Sequence, residues 1–468
     1  MRKAIGILLL LLSSLGLLSK DQPNIILVFI DDMGWGDFSC FGNEDAQTPN
    51  IDRLADEGIR FEQFYVNSPI CSPSRVAIST GQYPHRWKIS SYLGHRAQNA
   101  ERGMAQWLDP EAPMLASFLQ KSGYATGHFG KWHMGGQRDV NDAPAISEYG
   151  FDQSLTNFEG MGPKLLPLTL MPGQDPTKPG RIWHHAERLG EEYQWMQRSE
   201  ITGGFVDAAL SFIKQAQQDE KPFYLNLWPD DVHSPFWPPV DQWGDGKKRT
   251  LYVAVLEEMD RQLGRLFKHI QEDPILRDNT LILACSDNGP DPGLGSPGPF
   301  RGYKTQLFEG GIRSSLVAWA PSLMKKFSQG KVNRESVFSA IDLVPTLLEI
   351  CDVTPPPKTI FDGESLPAVL LGESNSSREK PIFFRRPPDR DRFYGVNDLP
   401  DLAVRHGKWK LLCEYDGTAP LLFDLEQDVG EKTNLASKNP VVLKRLTKAV
   451  MEWHQSMPSD KGPTLAVP

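Results

Sequence analysis

The sequence predicts an α/β fold: a large, mixed but mostly parallel sheet sandwiched by helices, followed by a smaller carboxyl-terminal α+β subdomain. Three observations predict it. Short apolar runs alternate with amphipathic helical stretches over most of the chain. Several of those runs are almost unbroken, as in parallel strands covered on both faces. Near Thr354–Lys358 three prolines stand in a row, and beyond them the pattern changes to short β-rich runs and one helix.

The elements follow in order. Asn24–Ile30 reads as a central strand. Thr48–Gly58 reads as a helix, with Thr48 as cap, Pro49 in the first turn and Gly58 at the end. Pro113–Ser122 reads as a helix and Tyr124–Gly130 as the strand after it. Ile201–Gln217 places Phe205, Ala209, Phe212 and Ile213 on one helical face. Pro222–Trp228 is apolar enough for a strand. In Leu251–Ile270 the residues Leu251, Val255, Met259, Leu263, Leu266 and Ile270 form one stripe, which we read as core packing. Thr280–Cys285 predicts another central strand, residues 289–299 a Gly/Pro-rich loop, Ser315–Ala320 a strand and Phe338–Ile350 a helix. In the last part, runs at 381–386, 402–406 and 408–414 read as an antiparallel sheet with a tight turn at His406-Gly407. Residues 440–457 read as its helix. The expected division is therefore 1–20, 21–354 and 355–468.

The length of 468 residues suits one large domain plus a smaller one. A formal charge of −9 argues against nucleic acid as a partner, because that affinity rests on Lys and Arg meeting phosphate. It does not argue against a small anion, since a local cluster of cations outweighs net charge. Arg2 and Lys3 precede an apolar stretch from Ala4 to Leu18, too short for a membrane span, so residues 1–20 read as a secretory signal peptide. Secreted or periplasmic placement, without stable membrane insertion after signal removal, is the expectation. The cysteines are Cys40, Cys71, Cys285, Cys351 and Cys413; none forms a CxxC pair, so zinc-ribbon and thioredoxin-like chemistry lacks support.

Chemistry collects where strands end. The first runs into Asp31-Asp32, a later one into Lys131-Trp132-His133, a third into His233 and a fourth into Asp287-Asn288. In open α/β sheets, ligands bind at the carboxyl ends of strands. Asp31, Asp32, Asp287 and Asn288 are all oxygen donors, a set that suits Ca²⁺ or Mg²⁺ rather than zinc. An Asp-Asp pair is also an ordinary cap or turn, and Asp-Asn-Gly an ordinary turn. Cys71-Ser72-Pro73-Ser74-Arg75 leads into Val76-Ala77-Ile78, which reads as a helix start with Pro73 in its first turn. The positive end of that helix would face Cys71 and an anion beside it.

Cys71-Ser72-Pro73-Ser74-Arg75, followed by Thr80-Gly81, resembles the sulfatase signature C-x-P-x-R…TG. Further segments are similar to the same family in the same order. They are Asn24–Gly34, Thr48–Gly58, Gly130–Gly135, Ser286–Gly289, Arg301–Arg313, Arg405–Leu411 and Leu422–Leu435. The resemblance spans roughly residues 22–457 and implies an alkaline-phosphatase-like fold, as in arylsulfatases and N-acetylgalactosamine-6-sulfatase-like members. It implies that Cys71 is oxidised to Cα-formylglycine before or during folding by a formylglycine-generating maturase. It implies that Asp31, Asp32, Asp287 and Asn288 hold Ca²⁺, with residue 71 contributing an oxygen. Arg75, Lys131 and His133 match residues that hold the formylglycine hydrate and sulfate. His233 and Lys304 match residues that bind sulfate and serve the leaving group.

The implied chemistry is self-consistent. Ca²⁺, Arg75, Lys131 and Lys304 would neutralise a sulfate monoester. An aldehyde hydrate has two hydroxyls on one carbon: one attacks sulfur and the other then expels sulfate. His233 serves as general acid. The expected substrate is a sulfated carbohydrate, oligomeric or polymeric. Specificity lives in loops. The aromatic run Phe236-Trp237-Pro238-Pro239 with Trp243 suits either sugar stacking or packing. Phe383-Phe384-Arg385-Arg386 with Arg390 and Arg392 suits either further sulfates or a solvated basic loop. Residues 89–108 and 160–195 are the other candidate lining, with His95 a candidate substrate ligand. His184, His185, His269 and His454 read as surface or packed residues. Two rivals are a phosphatase or phosphonate hydrolase of the alkaline phosphatase superfamily, and a non-catalytic carbohydrate-binding relative.

Overall fold

Strand β1 (Asn24–Ile30) is buried along its whole length, and its side chains alternate between two cores. Ile25, Leu27 and Phe29 face one; Ile26, Val28 and Ile30 face the other. Fully burying such a side chain is worth about 1.5–3 kcal/mol, so this strand anchors both layers. The computed structural model describes residues 22–190, 192–325, 328–388 and 399–460. The expected signal peptide and Arg390 and Arg392 lie outside the described residues.

Fifteen further strands complete three sheets. In chain order they are β2 (Ile59–Tyr65), β3 (Ala125–Gly130), β4 (Gln153–Leu155), β5 (Lys164–Thr169), β6 (Gly180–Arg181), β7 (Tyr193–Gln197), β8 (Phe223–Trp228), β9 (Thr280–Ser286), β10 (Arg313–Trp319), β11 (Lys331–Asn333), β12 (Phe338–Ser339), β13 (Ile382–Arg385), β14 (Leu402–His406), β15 (Trp409–Cys413) and β16 (Leu421–Asp424). The large sheet runs β11-β2-β10-β9-β1-β8-β3-β4, with β12 also on β2. Only β10 is reversed, pairing antiparallel with β2 and β9. This is the mixed, mostly parallel sheet that the sequence predicts.

Helices cover both faces. Cys71–Thr80, Leu115–Lys121 and Ala340–Ile350 pack on one side through Val76, Ile78, Leu119, Leu343 and Leu347. Pro49–Glu57, Ile201–Gln218 and Lys248–Glu272 pack on the other through Leu54, Phe205, Leu256 and Leu263. The helix expected from Phe338 starts at Ala340, because Phe338 and Ser339 pair with Phe64 and Tyr65 as an edge strand. Among the described residues, no helix is long and apolar enough to cross a membrane.

The second sheet, β13-β14-β15-β16, is antiparallel throughout. The Pro440–Ser456 helix packs Leu446, Val450 and Trp453 on one face. The other face packs Phe384, Ala403, Leu412 and Phe423 against Tyr65, Leu307, Phe308 and Ile312. A buried ion triad crosses the same junction. Lys410 Nζ lies 2.9 Å from Glu309 Oε1 and 2.8 Å from Glu431 Oε1. The loop carrying Lys304 is thereby clamped between the sheets. A third, three-stranded sheet, β6-β5-β7, went unforeseen in the 160–195 region.

Candidate active site

Parallel pairing continues past the strand ends and fixes where the polar residues stand. Asp31 N donates to Pro229 O at 3.1 Å, Lys131 N to Trp228 O at 2.9 Å and Asp287 N to Ile30 O at 3.0 Å. Asp32 then turns into the left-handed region at φ 59°, which faces its carboxylate back toward Asp287 and Asn288. The Ser286–Gly289 turn packs tightly on the 309–312 turn: a Cβ at Gly289 would sit 1.9 Å from Gly310 O.

Asp31, Asp32 and Asp287 are buried, with carboxylate oxygens all within 4.8 Å of one another. Arg75, fully buried at the second turn of the Cys71–Thr80 helix, braces two of them. Its Nη2 reaches Asp31 Oδ1 at 3.1 Å and Asp287 Oδ2 at 2.8 Å. The guanidinium lies between Phe29 and Trp228, 5.6 and 5.2 Å from their ring centroids. Burial works to raise Asp31, but Lys131, His233 and Arg75 hold it well below the carboxylate range. Burial and the facing Asp31 push Asp287 well above it, against the pull of Arg75. Asn288 Nδ2 donates to Asp32 Oδ1 at 2.8 Å, which leaves its buried Oδ1 without a hydrogen-bond partner. Three crowded carboxyls and an orphaned amide oxygen fit a hard divalent cation that binds oxygen.

Cys71 opens the helix at its first residue and is 3% exposed. Burial pushes its thiol up to about 12, while Lys131 and Lys304 pull it down and Asp31 and Asp287 raise it. Arg75, one turn along the same helix, bonds Asp31 and Asp287, so the helix start at residue 71 stands beside the carboxylate cluster. Lys131 Nζ bonds Asp31 Oδ2 at 2.5 Å. Burial alone would lower this lysine; Asp31 and Cys71 hold it above its ordinary value.

His133 has a defined tautomer. Its Nε2 faces two acceptors, Leu93 O at 3.0 Å and Glu159 Oε1 at 3.3 Å, so Nε2 carries the proton. Its buried Nδ1 has no hydrogen-bond partner. Burial, with Lys131 and Arg75, drives this histidine well below the ordinary range, so it is neutral. Glu159 escaped the sequence reading. It is buried, and burial pushes its carboxyl up to about 8 against Lys131 and Arg138. Nothing in its local sequence marks it, because its partner lies on another loop.

Lys304 reaches Asp32 Oδ2, and His233 Nε2 lies 3.5 Å from the same oxygen. His233 is the open member of the set, its side chain 27% exposed, with Nδ1 2.7 Å from Ser234 O. The remaining candidates lie farther out. His95 is exposed and stands 3.6 Å from Asp139. Trp237 packs edge-on to Trp243 at 5.7 Å and lines a small cleft with Arg198 and Glu200. Arg385 is not brought to the site. It is buried against Pro458 O and Asp460, both at 3.1 Å, which corrects its reading as a substrate ligand. His184 and His185 follow Trp183, whose ring packs on Phe158 at 4.1 Å, and their own rings lie 6.2 Å apart. All five cysteines are free thiols.

The family profile for sulfatases matches residues 23–353. The chain is 34% identical to N-acetylgalactosamine-6-sulfatase of Sus scrofa, covering 96% of this chain and 89% of the relative. It is 30% identical to human (Homo sapiens) arylsulfatase A, over 94% and 89% respectively. The crystal structure of Ps i-CgsB in complex with k-i-k-neocarrahexaose superposes with a TM-score of 0.76 at 26% identity. That match covers 93% of this chain and 94% of that one.

Proposed function

The chain belongs to the sulfatase family and is a sulfuric ester hydrolase, and from that premise we propose that it desulfates a carbohydrate using formylglycine at position 71 and Ca²⁺. The observation that carries this reading is the placement of Cys71. It opens a buried helix against the Asp31–Asp32–Asp287 cradle, with Lys131 and Lys304 acting on the same position. Asp31, Asp32, Asp287 and Asn288 would hold the cation, which neutralises charge at the sulfate oxygens when bound. The aldehyde hydrate of residue 71 supplies the nucleophilic oxygen.

The chain's own residues do the rest. Arg75 keeps the carboxylates of Asp31 and Asp287 in register. Lys131 and Lys304 reach Asp31 and Asp32 from their own loops, which leaves two ammonium groups beside residue 71 for the sulfate group of the ester. His233 meets the carbonyl of Ser234 through Nδ1–H, so Nε2 is the atom that delivers a proton to the departing alcohol at the mouth. His133, neutral and protonated on Nε2, offers Nδ1 as the acceptor for a proton from the hydroxyl of residue 71.

Carbohydrate as the substrate class is supported by the names of the relatives. One names an N-acetylated amino sugar and another structure holds a neocarrahexaose. The apolar leader supports export to a secreted or periplasmic location, with a maturase as the obligatory partner. The test is a desulfation screen of defined sulfated oligosaccharides, after intact mass has confirmed conversion of Cys71. We expect p-nitrophenyl sulfate to turn over far faster than the phosphate, and Cys71→Ala to fold but do nothing. An unchanged rate in Cys71→Ala rejects the mechanism, and a phosphate preference rejects the assignment of substrate.

A further inference from the structure

His233 lies beyond the end of β8, on a turn with no strand or helix to stiffen it. Its side chain is the open one of the set, so packing alone does not fix the imidazole. What holds the turn is a buried arginine. His233 N donates to Asp230 O at 3.1 Å, and Arg198 Nη2 donates to the same oxygen at 2.6 Å. Arg198 Nη1 donates to Asp230 Oδ1 at 2.7 Å, so one guanidinium grips the main chain and the side chain of Asp230 together. Among the described residues, the other carboxylate oxygen of Asp230 is buried without a hydrogen-bond partner, which leaves Arg198 as the hold on this group. Asp231, the next residue, accepts the hydroxyl of Thr202. Arg198 opens the short turn Arg198–Glu200 that leads into the Ile201–Gln218 helix, which carries Thr202 in its first turn. Gln262, on the Lys248–Glu272 helix, anchors the same start through Nε2 to Ser199 O at 2.6 Å. The Trp183 ring covers the guanidinium, with its centroid 5.3 Å from Arg198 Cζ. Trp183 also packs on Phe158, whose ring lies 5.7 Å from Lys131 Nζ. The supports of His233 and Lys131 therefore share one pair of rings.

We infer that Arg198, acting through Asp230, is a positioning residue for His233, and that it sets where the imidazole meets the departing alcohol. The inference rests on the reading of His233 as the proton donor and extends that step to a residue on a different element. Simple neutralisation of Asp230 would need only the carboxylate. Here the second nitrogen of the fork is bonded to the carbonyl that also takes His233 N, so the guanidinium fixes the point at which the histidine leaves the backbone. A lysine at this place would bring a charge but no planar fork, and would hold one of the two oxygens poorly. His233 Nε2 stands 3.5 Å from Asp32 Oδ2, at the mouth of the site. A displacement of about 1 Å at a reacting group costs up to about 10²-fold in rate, so a loosened turn is felt in proton transfer before it is felt in the fold.

The leaving-group dependence of kcat/KM tests this on the converted, full-length protein, with p-nitrophenyl sulfate and phenyl sulfate as the two esters. p-Nitrophenolate departs readily without a proton, whereas phenolate departs slowly unless an acid reaches its oxygen. We expect Arg198→Lys to lower kcat/KM for phenyl sulfate by about 10–10²-fold, but for p-nitrophenyl sulfate by no more than about three-fold. Asp230→Asn keeps the shape of the grip and should show the same selectivity at smaller size, about three- to ten-fold on phenyl sulfate; it carries the test if Arg198→Lys does not fold. In a His233→Ala background Arg198→Lys should cost nothing further on phenyl sulfate, because the residue it positions is gone. Equal losses on the two esters, unchanged rates in both variants, or a full additional loss in the His233→Ala background overturns the positioning role. Failure of the underlying reading looks different: converted wild-type protein would release no sulfate from either ester, or His233→Ala itself would slow both equally.

Discussion

Lys410→Met removes the cation that, among the described residues, pairs with Glu431, and one of several that Glu309 faces. Glu309 keeps Arg313 Nη1 at 3.1 Å and the Tyr65 hydroxyl at 2.7 Å. Among the described residues, the side chain of Glu431 keeps the Glu309 N–H at 2.7 Å. Two charge-assisted contacts vanish at once, each worth about 1.5–3 kcal/mol. The expected loss at neutral pH is about 3–5 kcal/mol, the cost of breaking a buried pair. The sign of the pH dependence follows from Glu431. Burial and Glu309 raise it from 4.5 to about 7 despite Lys410, so it disfavours the folded state as pH rises through that window. Without Lys410 the shift grows, so the variant loses further ground above pH 7. Glu309 works the other way: burial opposes, but Lys410, Arg313 and Arg405 hold it low, so its contribution persists until strong acid. Urea unfolding of both proteins at pH 6 and 8 checks this, and Glu431→Gln in the Lys410→Met background should recover about 1–2 kcal/mol. A loss below about 1 kcal/mol, or one that does not grow with pH, would falsify the clamp described here.

Calcium should raise the melting temperature of the wild type, by about 2.7 kcal/mol of stability at a hundred times Kd, and EGTA should reverse it. Asn288→Ala should blunt that shift; an undiminished shift would place the ion elsewhere. Lys304→Met should lower kcat by about 10²–10³, as for other donors aimed at transition-state charge, and a change confined to KM would contradict its role. Glu159→Gln keeps the shape beside His133 but weakens its hold on Nε2–H. We expect kcat to fall roughly ten-fold with KM little changed, and wild-type kcat would remove Glu159 from the set.

Much of this was legible because it is local. Unbroken apolar runs declare strands β1, β8 and β9, and the polar residues directly after them fall on one rim whatever the loops do. Cys71 and Arg75 share one helical turn, so their relation needs no tertiary knowledge. What escaped depends on loops that meet only in the fold. Glu159 matters because residues 93, 133 and 159 converge, and the intervening sequence carries no period that says so. Arg385 misled because a basic run suggests an exposed patch, whereas its partners are at 458–460. The β5–β7 sheet was missed for a similar reason: its strands mix polar and apolar residues and alternate only in part.

All ten residues of the helix that begins at position 71 are buried. A modifying enzyme needs its target as an extended, reachable peptide, and the finished protein offers none. On the proposed formylglycine mechanism, molecules that escape oxidation during synthesis would therefore stay unconverted once folded. Batches of identical purity and fold would then differ in specific activity according to their converted fraction, and adding maturase to the purified protein should repair nothing unless the chain is first unravelled.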